Sequence, residues 1–390
     1  MNILLVTGMF VESEREPLGG MAKAIYQISK GLMKRGHDVR ILSASGMKRE
    51  GEWKYKGVSI YHIRRGVDIN SSEMSEFLMD IIQREIGIEH EIKRINRMWH
   101  VDVIQYSGWY GIGMLHFSNI PSVMRVSSYT KSQLSTNFDK RKVKYLELIE
   151  QMAVNRMNAV YTPALVTARV IQNDIQKRVY VLPTPFQEEA VAENDNLYKE
   201  VLNNIDYLLF FGRMSKDKGV LVINECINDI MTRYPSLHIV FIGTDTIIDG
   251  KSCKSEIISS AGQYIDRIHI MNALPHSKLF PIIKKSKAIL MPSLMDNLPN
   301  SCAEAMALGG IVIGTDGSSL EQYIIDGKNG FLAEIGSADS LLKKIEQCMK
   351  ISEQERERMQ KNAKDSLHRF SEEVFFDHLE ELLKRVANKK

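Results

Sequence analysis

The stretch Phe211-Gly-Arg-Met-Ser-Lys-Asp-Lys-Gly219 sets two cations, Arg213 and Lys218, five residues apart. An apolar run ends at Phe211 and an amphipathic segment begins near Asp217, so the pair falls in a loop that feeds a helix. Free N–H groups and the positive end of a helix dipole add to such cations, and together they attract anions. Arginine contributes a flat fork that can meet two phosphate oxygens at once. A diphosphate is the anion such a loop would neutralise. Two solvated surface cations at a turn are the plain alternative.

A second group lies in Met291-Pro-Ser-Leu-Met-Asp-Asn-Leu-Pro-Asn-Ser-Cys-Ala-Glu-Ala-Met-Ala307. Asp296 sits in a loop and Glu304, eight residues on, in the helix that follows. A loop carboxylate can accept from sugar hydroxyls. A helical one can accept from both hydroxyls of a ribose, as acidic residues do in dinucleotide-binding folds. Backbone amides near Asn300 and Ser301 open that helix and would face phosphates. A third feature, Pro17-Leu-Gly-Gly-Met21, puts Gly19 and Gly20 just before the first helix, where backbone can approach a ligand closely. A flexible loop would read the same way.

The elements that must position these residues alternate. Asn2–Thr7 reads as a strand and Gly20–Lys34 as a helix, with Ala24, Ile25, Ile28 and Leu32 at helical spacing and Gly36 at its stop. Strands follow at Val39–Ser43, Val58–Ile63, Val101–Gln105 and Ser122–Val126, with an amphipathic stretch, Ser72–Met98, before the third of them. Helix Lys142–Met157 and strands Ala159–Thr162 and Tyr180–Pro183 complete this series. The acidic stretch Phe186–Asn204 carries no strand signal and reads as a linker. Alternation restarts with strand Asp206–Phe211, helix Asp217–Tyr234, and strands Leu237–Gly243, Ile268–Met271, Ala288–Pro292 and Ile311–Gly314. Helix Ser301–Leu308 falls between the last two.

Two β-α series predict an α/β chain of two Rossmann-like, doubly wound domains, 1–185 and 205–369, facing each other across a cleft. Ligands in such sheets bind outside the carboxyl ends of the strands. The segment 370–390 is a strongly amphipathic helix.

At 390 residues, with 44% hydrophobic and 25% charged content, the chain has the makeup of a folded globular protein. Its short apolar start runs into Val11-Glu-Ser-Glu-Arg-Glu16, unlike a secretory leader, and no run is long enough to span a bilayer. A cytoplasmic location is expected. The cysteines, Cys226, Cys253, Cys302 and Cys348, form no C-x-x-C pair, which argues against structural zinc and disulfides. Net charge is +3, yet residues 1–185 carry 26 Lys and Arg against 18 Asp and Glu. This basic half could face an anionic membrane surface or a phosphate-bearing acceptor, with Lys140-Arg-Lys-Val-Lys144 and Lys93-Arg-Ile-Asn-Arg97 as its basic stretches, and a solvated basic surface is the plain alternative. No feature points to nucleic acid.

Taken together, Gly19-Gly20, Leu32-Met-Lys-Arg-Gly-His-Asp-Val39, Phe211-Gly-Arg213 with Lys218-Gly219, Asp296 through Ala307, and Tyr323-Ile-Ile-Asp-Gly-Lys-Asn-Gly-Phe-Leu332 resemble the retaining glycosyltransferases of family 4, which have the GT-B fold. The likeness runs from about residue 2 to residue 335. It implies transfer of a sugar from a nucleotide-diphosphate donor, a UDP-sugar first among them, to a surface glycan or lipid-linked precursor. Arg213 and Lys218 would bind the diphosphate, Asp296 the donor sugar and Glu304 the ribose. Asn297, Asn300 and Ser301 would join the donor site. Gly19 and Gly20 would approach the phosphate, and Asn272 and Ala273 would meet the base through backbone groups. The last helix would pack back on the first domain.

The resemblance also implies same-face attack, with a donor phosphate oxygen taking the acceptor's proton and no protein nucleophile. The domains would close over their substrates. Cations replace a metal, and no cofactor beyond the sugar nucleotide is expected; Glu193-Asn-Asp195 is the nearest approach to the Asp-x-Asp of metal-dependent transferases. Three departures stand out. Members usually have Glu where this chain has Asp296, and many have Gly in place of Pro299. Many also carry a histidine after the strand Ser122–Val126, where this chain reads Arg125-Val-Ser-Ser-Tyr129. Ser127 or Ser128 would be its substitute. A catalytically degenerate scaffold protein is the competing reading, and a sugar-nucleotide epimerase a more distant one.

Overall fold

The computed structural model describes residues 1–16, 18–44, 51–64, 67, 71, 73–132, 139–248 and 250–388. Pro17 and Ser72, named above, lie outside the described residues. The chain divides into two units, Met1–Pro183 with Glu372–Lys390, and Thr184–Ser371.

The first unit begins with β1 (Asn2–Thr7), a run of five buried residues after Asn2. Such a continuous apolar run suits a strand covered on both faces. Next come α1 (Gly20–Lys34), β2 (Asp38–Ser43), β3 (Gly51–Tyr55), β4 (Val58–His62) and α2 (Met74–Met98). They are followed by β5 (Val103–Gly108), β6 (Ser122–Val126), α3 (Lys140–Arg156), β7 (Ala159–Thr162), α4 (Leu165–Ile175) and β8 (Val179–Val181). The strands form one sheet in the order β3-β4-β2-β1-β5-β6-β7-β8. Every pairing is parallel except that of β3 with β4. Chain progression reverses between β1 and β5, the place where doubly wound sheets take ligands.

The second unit begins at Thr184 and takes in the whole stretch expected to be a linker. Here α5 (Asn196–Val201) is followed by Leu202, fully buried, and Phe186, Val191, Leu197 and Tyr198 pack against the same core. Scattered apolar residues among acidic ones are enough to dock this segment on the unit's core, although they show no strand period. The unit continues with β9 (Asp206–Phe211), α6 (Val220–Arg233), β10 (Leu237–Ile242), the small hairpin β11 (Ile247–Ile248) and β12 (Lys251–Ser252), α7 (Cys253–Ala261) and β13 (Ile268–Met271). Then come α8 (His276–Lys285), β14 (Ala288–Met291), α9 (Asn300–Ala307), β15 (Val312–Asp316), β16 (Phe331–Glu334), α10 (Ala338–Lys350) and α11 (Glu353–Ser366). The main sheet runs β13-β10-β9-β14-β15-β16, all parallel. Its reversal lies between β9 and β14.

The last helix, α12 (Glu372–Ala387), belongs to the first unit. Phe375, Phe376, Leu379, Leu382, Leu383 and Val386 are buried on its inner face. Each such side chain taken from water stabilises by about 1.5–3 kcal/mol. Phe376 lies over Gly31 of α1 so closely that a methyl group there would meet the ring at 1.9 Å. Arg35 holds the outer face through Asp377 (2.7 Å) and Glu380 (3.2 Å). All four cysteines are buried free thiols. Among the described residues no helix is long and apolar enough to cross a membrane.

Candidate functional site

The loop after β9 is built on glycine. Gly212 takes φ +128° and donates its N–H to Ile242 O (2.9 Å). A Cβ on Gly243 would lie 1.6 Å from Gly212 O, so two backbones touch where no side chain fits. Met214 N–H reaches Thr244 O (2.9 Å), and the Thr246 hydroxyl donates to Met214 O (2.6 Å). This stitching fixes the loop and leaves Arg213 pointing outward, with 59% of its side chain exposed. Arg213 Nη2 pairs with Asp217 Oδ2 at 2.9 Å, and its Nε donates to the Ser215 hydroxyl at 3.4 Å. Burial pushes the Asp217 carboxyl up, but the Ser215 hydroxyl and the Arg213 charge outweigh it, and Asp217 sits below the usual carboxylate range. Asp217 is therefore an anion at neutral pH.

Gly219 ends the loop in the left-handed region, at φ +71°, and caps α6. A Cβ there would strike Pro292 O at 1.8 Å. This contact locks the loop after β9 against the loop after β14. Asp217 O accepts from Leu294 N–H (2.8 Å) across the same seam.

The second loop carries Asp296. Its carboxylate pairs with the Lys218 ammonium and accepts from the Ser293 hydroxyl (3.3 Å) and from Asn297 N–H (2.9 Å). Asp296 N–H donates to Ser318 O (3.2 Å), and the Thr315 hydroxyl donates to Ser293 O, which ties the loop to the end of β15. Leu298 follows at φ +58° with its side chain buried. A left-handed leucine costs about 1–3 kcal/mol, a cost that packing of the side chain offsets. Pro299 then caps α9, with no N–H of its own to give. No acidic residue occupies the first turn of α9, whose opening residues are Asn300 and Ser301.

These pieces converge. Phe210, Phe211, Gly212, Lys218, Met291, Ser293, Asp296, Pro299 and Ser301 line one small pocket that opens to solvent. It sits at the carboxyl ends of β9 and β14, on the unit's topological switch point. Arg213 and Lys218 are thus on one loop, with Asp296, Asn297, Asn300 and Ser301 on the adjoining loop and helix start. Glu304, half-buried, lies one turn further along α9. Asn272 and Ala273 follow β13 on the same sheet edge and are exposed. Asn272 Oδ1 accepts from Lys254 (2.7 Å), and neither residue lines the cavity.

Gly19 and Gly20 belong to the first unit. Gly19 caps α1 in an extended conformation, and nothing lies within 4 Å of a Cβ built on either glycine. The local fold does not require glycine at these positions. In the same unit Arg125 is buried and gives its guanidinium to the Ser127 hydroxyl, while burial lowers its pKa. Ser127 is thus engaged by a neighbour.

Asp217, Ser215, Ser293 and Thr315 hold the predicted residues in place, and sequence reasoning does not single them out. Asp217 and Ser215 lie inside the quoted loop; the available signal is an anion four residues from an arginine. Among the described residues no group of three or more His, Cys, Asp and Glu is placed to share a metal ion.

Known proteins resemble this chain along most of its length. The model of the glycosyl transferases group 1 matches residues 198–366, and that of Glycosyltransferase Family 4 matches 18–189. One component of the human phosphatidylinositol N-acetylglucosaminyltransferase is 22% identical over 80% of this chain and 62% of its own. The lipopolysaccharide 1,2-N-acetylglucosaminetransferase of Salmonella typhimurium is 24% identical over 54% of this chain and 58% of its own. The chain thus spans about six-tenths of these two relatives. Glycogen synthase of Mycobacterium tuberculosis is 21% identical over 85% of this chain and 81% of its own. In fold, a glycosyltransferase from Rickettsia africae matches with a TM-score of 0.70 at 17% identity, covering 100% of this chain and 99% of that one. Sucrose-phosphate synthase from Thermosynechococcus elongatus matches with 0.70 at 14% identity, covering 98% of each.

Proposed function

Because the chain belongs to the group 1 glycosyltransferases of the GT-B type, we propose that it transfers a sugar from a nucleotide-diphosphate donor to a glycan or lipid-linked acceptor, with retained anomeric configuration. The observation that carries this reading is the cavity at the β9–β14 switch point, where Lys218, Asp296 and the start of α9 meet, with Arg213 on the same loop as Lys218. Charge develops on the leaving diphosphate as the glycosidic bond to it breaks. Arg213, Lys218 and the amides opening α9 stabilise that charge. On this reading they do so without a divalent metal. The acceptor hydroxyl attacks from the face the diphosphate leaves, and its proton passes to a phosphate oxygen of the departing group.

The remaining assignments are those that the family resemblance implies. Asp296 accepts from sugar hydroxyls once Lys218 turns to phosphate, and Glu304 accepts from the ribose. Asn297, Asn300 and Ser301 line the donor, Asn272 and Ala273 offer backbone to the base, and Gly19 and Gly20 let backbone approach the phosphates. Two relatives are named for N-acetylglucosamine transfer, so UDP-N-acetylglucosamine is the first donor to try. A thermal-shift screen of sugar nucleotides tests binding, since a ligand at 100 times its Kd stabilises by about 2.7 kcal/mol. Release of free nucleoside diphosphate, unaffected by a chelator, then tests turnover. Stabilisation by a sugar nucleotide without any release would instead support the scaffold reading, and loss of activity to a chelator would refute metal independence.

A further inference from the structure

Helix α3 has a second apolar face that its own core does not use. Its inner face buries Leu146, Ile149, Ala153 and Val154. On the outer side Tyr145, Leu148 and Met152, spaced three and four residues apart, are 44%, 53% and 42% exposed. Arg141 begins this ridge and Arg156 ends it, about 22 Å away at helical rise. Lys140 and Lys144 stand beside the first end, both exposed. At the far end Arg156 lies over the ring of Phe117 (4.5 Å), itself 62% exposed.

The neighbouring helix repeats the apolar spacing, with exposed Glu76 before it and basic residues after it. On α2, Met79, Ile82 and Ile86 are exposed at the same spacing, while Phe77, Ile81 and Ile88 enter the core that also takes the inner face of α3. Lys142 of α3 stands over the Phe77 ring (5.3 Å), so the two helices adjoin on one face of the sheet. The outer ridge of α2 continues into His90, Lys93 and Arg97, all exposed. A water-facing helix layer has no packing use for these six large apolar side chains, with Phe117 beside them.

We propose that the outer faces of α2 and α3 dock this unit on an anionic lipid bilayer. Apolar side chains would enter the headgroup boundary while the cations at the ridge ends meet lipid phosphates. Charge complementarity selects this occupant: basic residues bracket the apolar ridge of α3 at both ends, the pattern of an interfacial helix. The inference rests on the lipid-linked acceptor reading for its purpose, although its test does not depend on catalysis.

The test is co-sedimentation of the full chain with phosphatidylcholine vesicles with and without phosphatidylglycerol. Binding is expected only with phosphatidylglycerol and should weaken with salt. Leu148→Glu with Met152→Glu should lower the partition at least about tenfold, and Lys140→Glu with Lys144→Glu by a similar factor. Both pairs are exposed, and an unchanged melting temperature certifies the fold. Wild-type protein left in the supernatant with anionic vesicles overturns the proposal, as does equal binding by both variants. A self-association that the ridge variants dissolve, without vesicle binding, would assign the face to a second copy and also overturn it. UDP binding measured on the same samples reports on the donor reading separately.

Discussion

The ammonium of Lys218 is held against the carboxylate of Asp296, 78 residues further along the chain. Both are proposed to meet the donor, one at phosphate and one at sugar. Without donor they neutralise each other, and a bound diphosphate must take the cation from the acid. Asp296→Asn removes this competitor. UDP should then bind more tightly, by up to about tenfold, while the rate of sugar transfer falls. Calorimetry with UDP and turnover with a sugar nucleotide read the two effects. Weaker UDP binding would show that Asp296 orients Lys218 for the phosphate.

Arg213 stands in a different balance. It is exposed and held by Asp217 and Ser215, outside the lining of the cavity. Arg213→Ala should cost about 2–4 kcal/mol of transition-state stabilisation, a hundredfold or more in turnover. Steady-state kinetics checks this, and an unchanged rate removes Arg213 from the site.

Two glycines separate architecture from ligand contact. Gly219→Ala drives a methyl group into Pro292 O at a left-handed position. It should destabilise the protein by at least about 2 kcal/mol and lower activity with it. Gly20→Ala meets no neighbour within 4 Å and should leave the melting temperature unchanged. If the donor's phosphates use this backbone, the same variant raises KM. Equal effects of the two substitutions on melting would contradict the geometry.

The scaffold of the site is legible in the sequence because its signals are local. The run ending at Phe211, the glycine after it and the periodicity beyond Asp217 mark strand, turn and helix within about twenty residues. What escapes such a reading depends on partners distant in sequence. Nothing near Lys218 announces Asp296, and nothing near Gly219 announces Pro292. The segment 186–204 reads as a linker because Leu202 and Tyr198 are thinly spread among acids, with no period to show what they pack on. In α2, Arg84 and Glu85 are adjacent charges that the fold buries as a pair, with Arg84 donating to Tyr110 O (2.6 Å) and Glu85 accepting from Gly113 N–H (2.8 Å). A helical wheel puts such residues on the surface.

Glu150 gives the first unit a pH signature. Burial pushes its carboxyl up to about 7, although hydrogen bonds from Thr130 pull the other way; the backbone one is 2.8 Å. In the unfolded chain it ionises near the ordinary 4.5. Between these values the native state holds a proton that the unfolded state has lost, so stability falls as pH rises through the window and levels off above it. Glu150→Gln keeps an acceptor for Thr130 and should remove that part of the slope. The melting temperature at about pH 7.5 minus that at about pH 4.5 should be more positive in the variant than in the wild type. An identical difference would mean that Glu150 is ionised in the native state.

The central claim is that the cations of the loop after β9 bind a nucleotide's diphosphate. Calorimetric titration of UDP into the wild type and into Arg213→Ala with Lys218→Ala tests it most directly. Saturable binding by the wild type, lost in a double variant that keeps its melting temperature, is the predicted result. UDP bound equally well by both proteins would contradict the account.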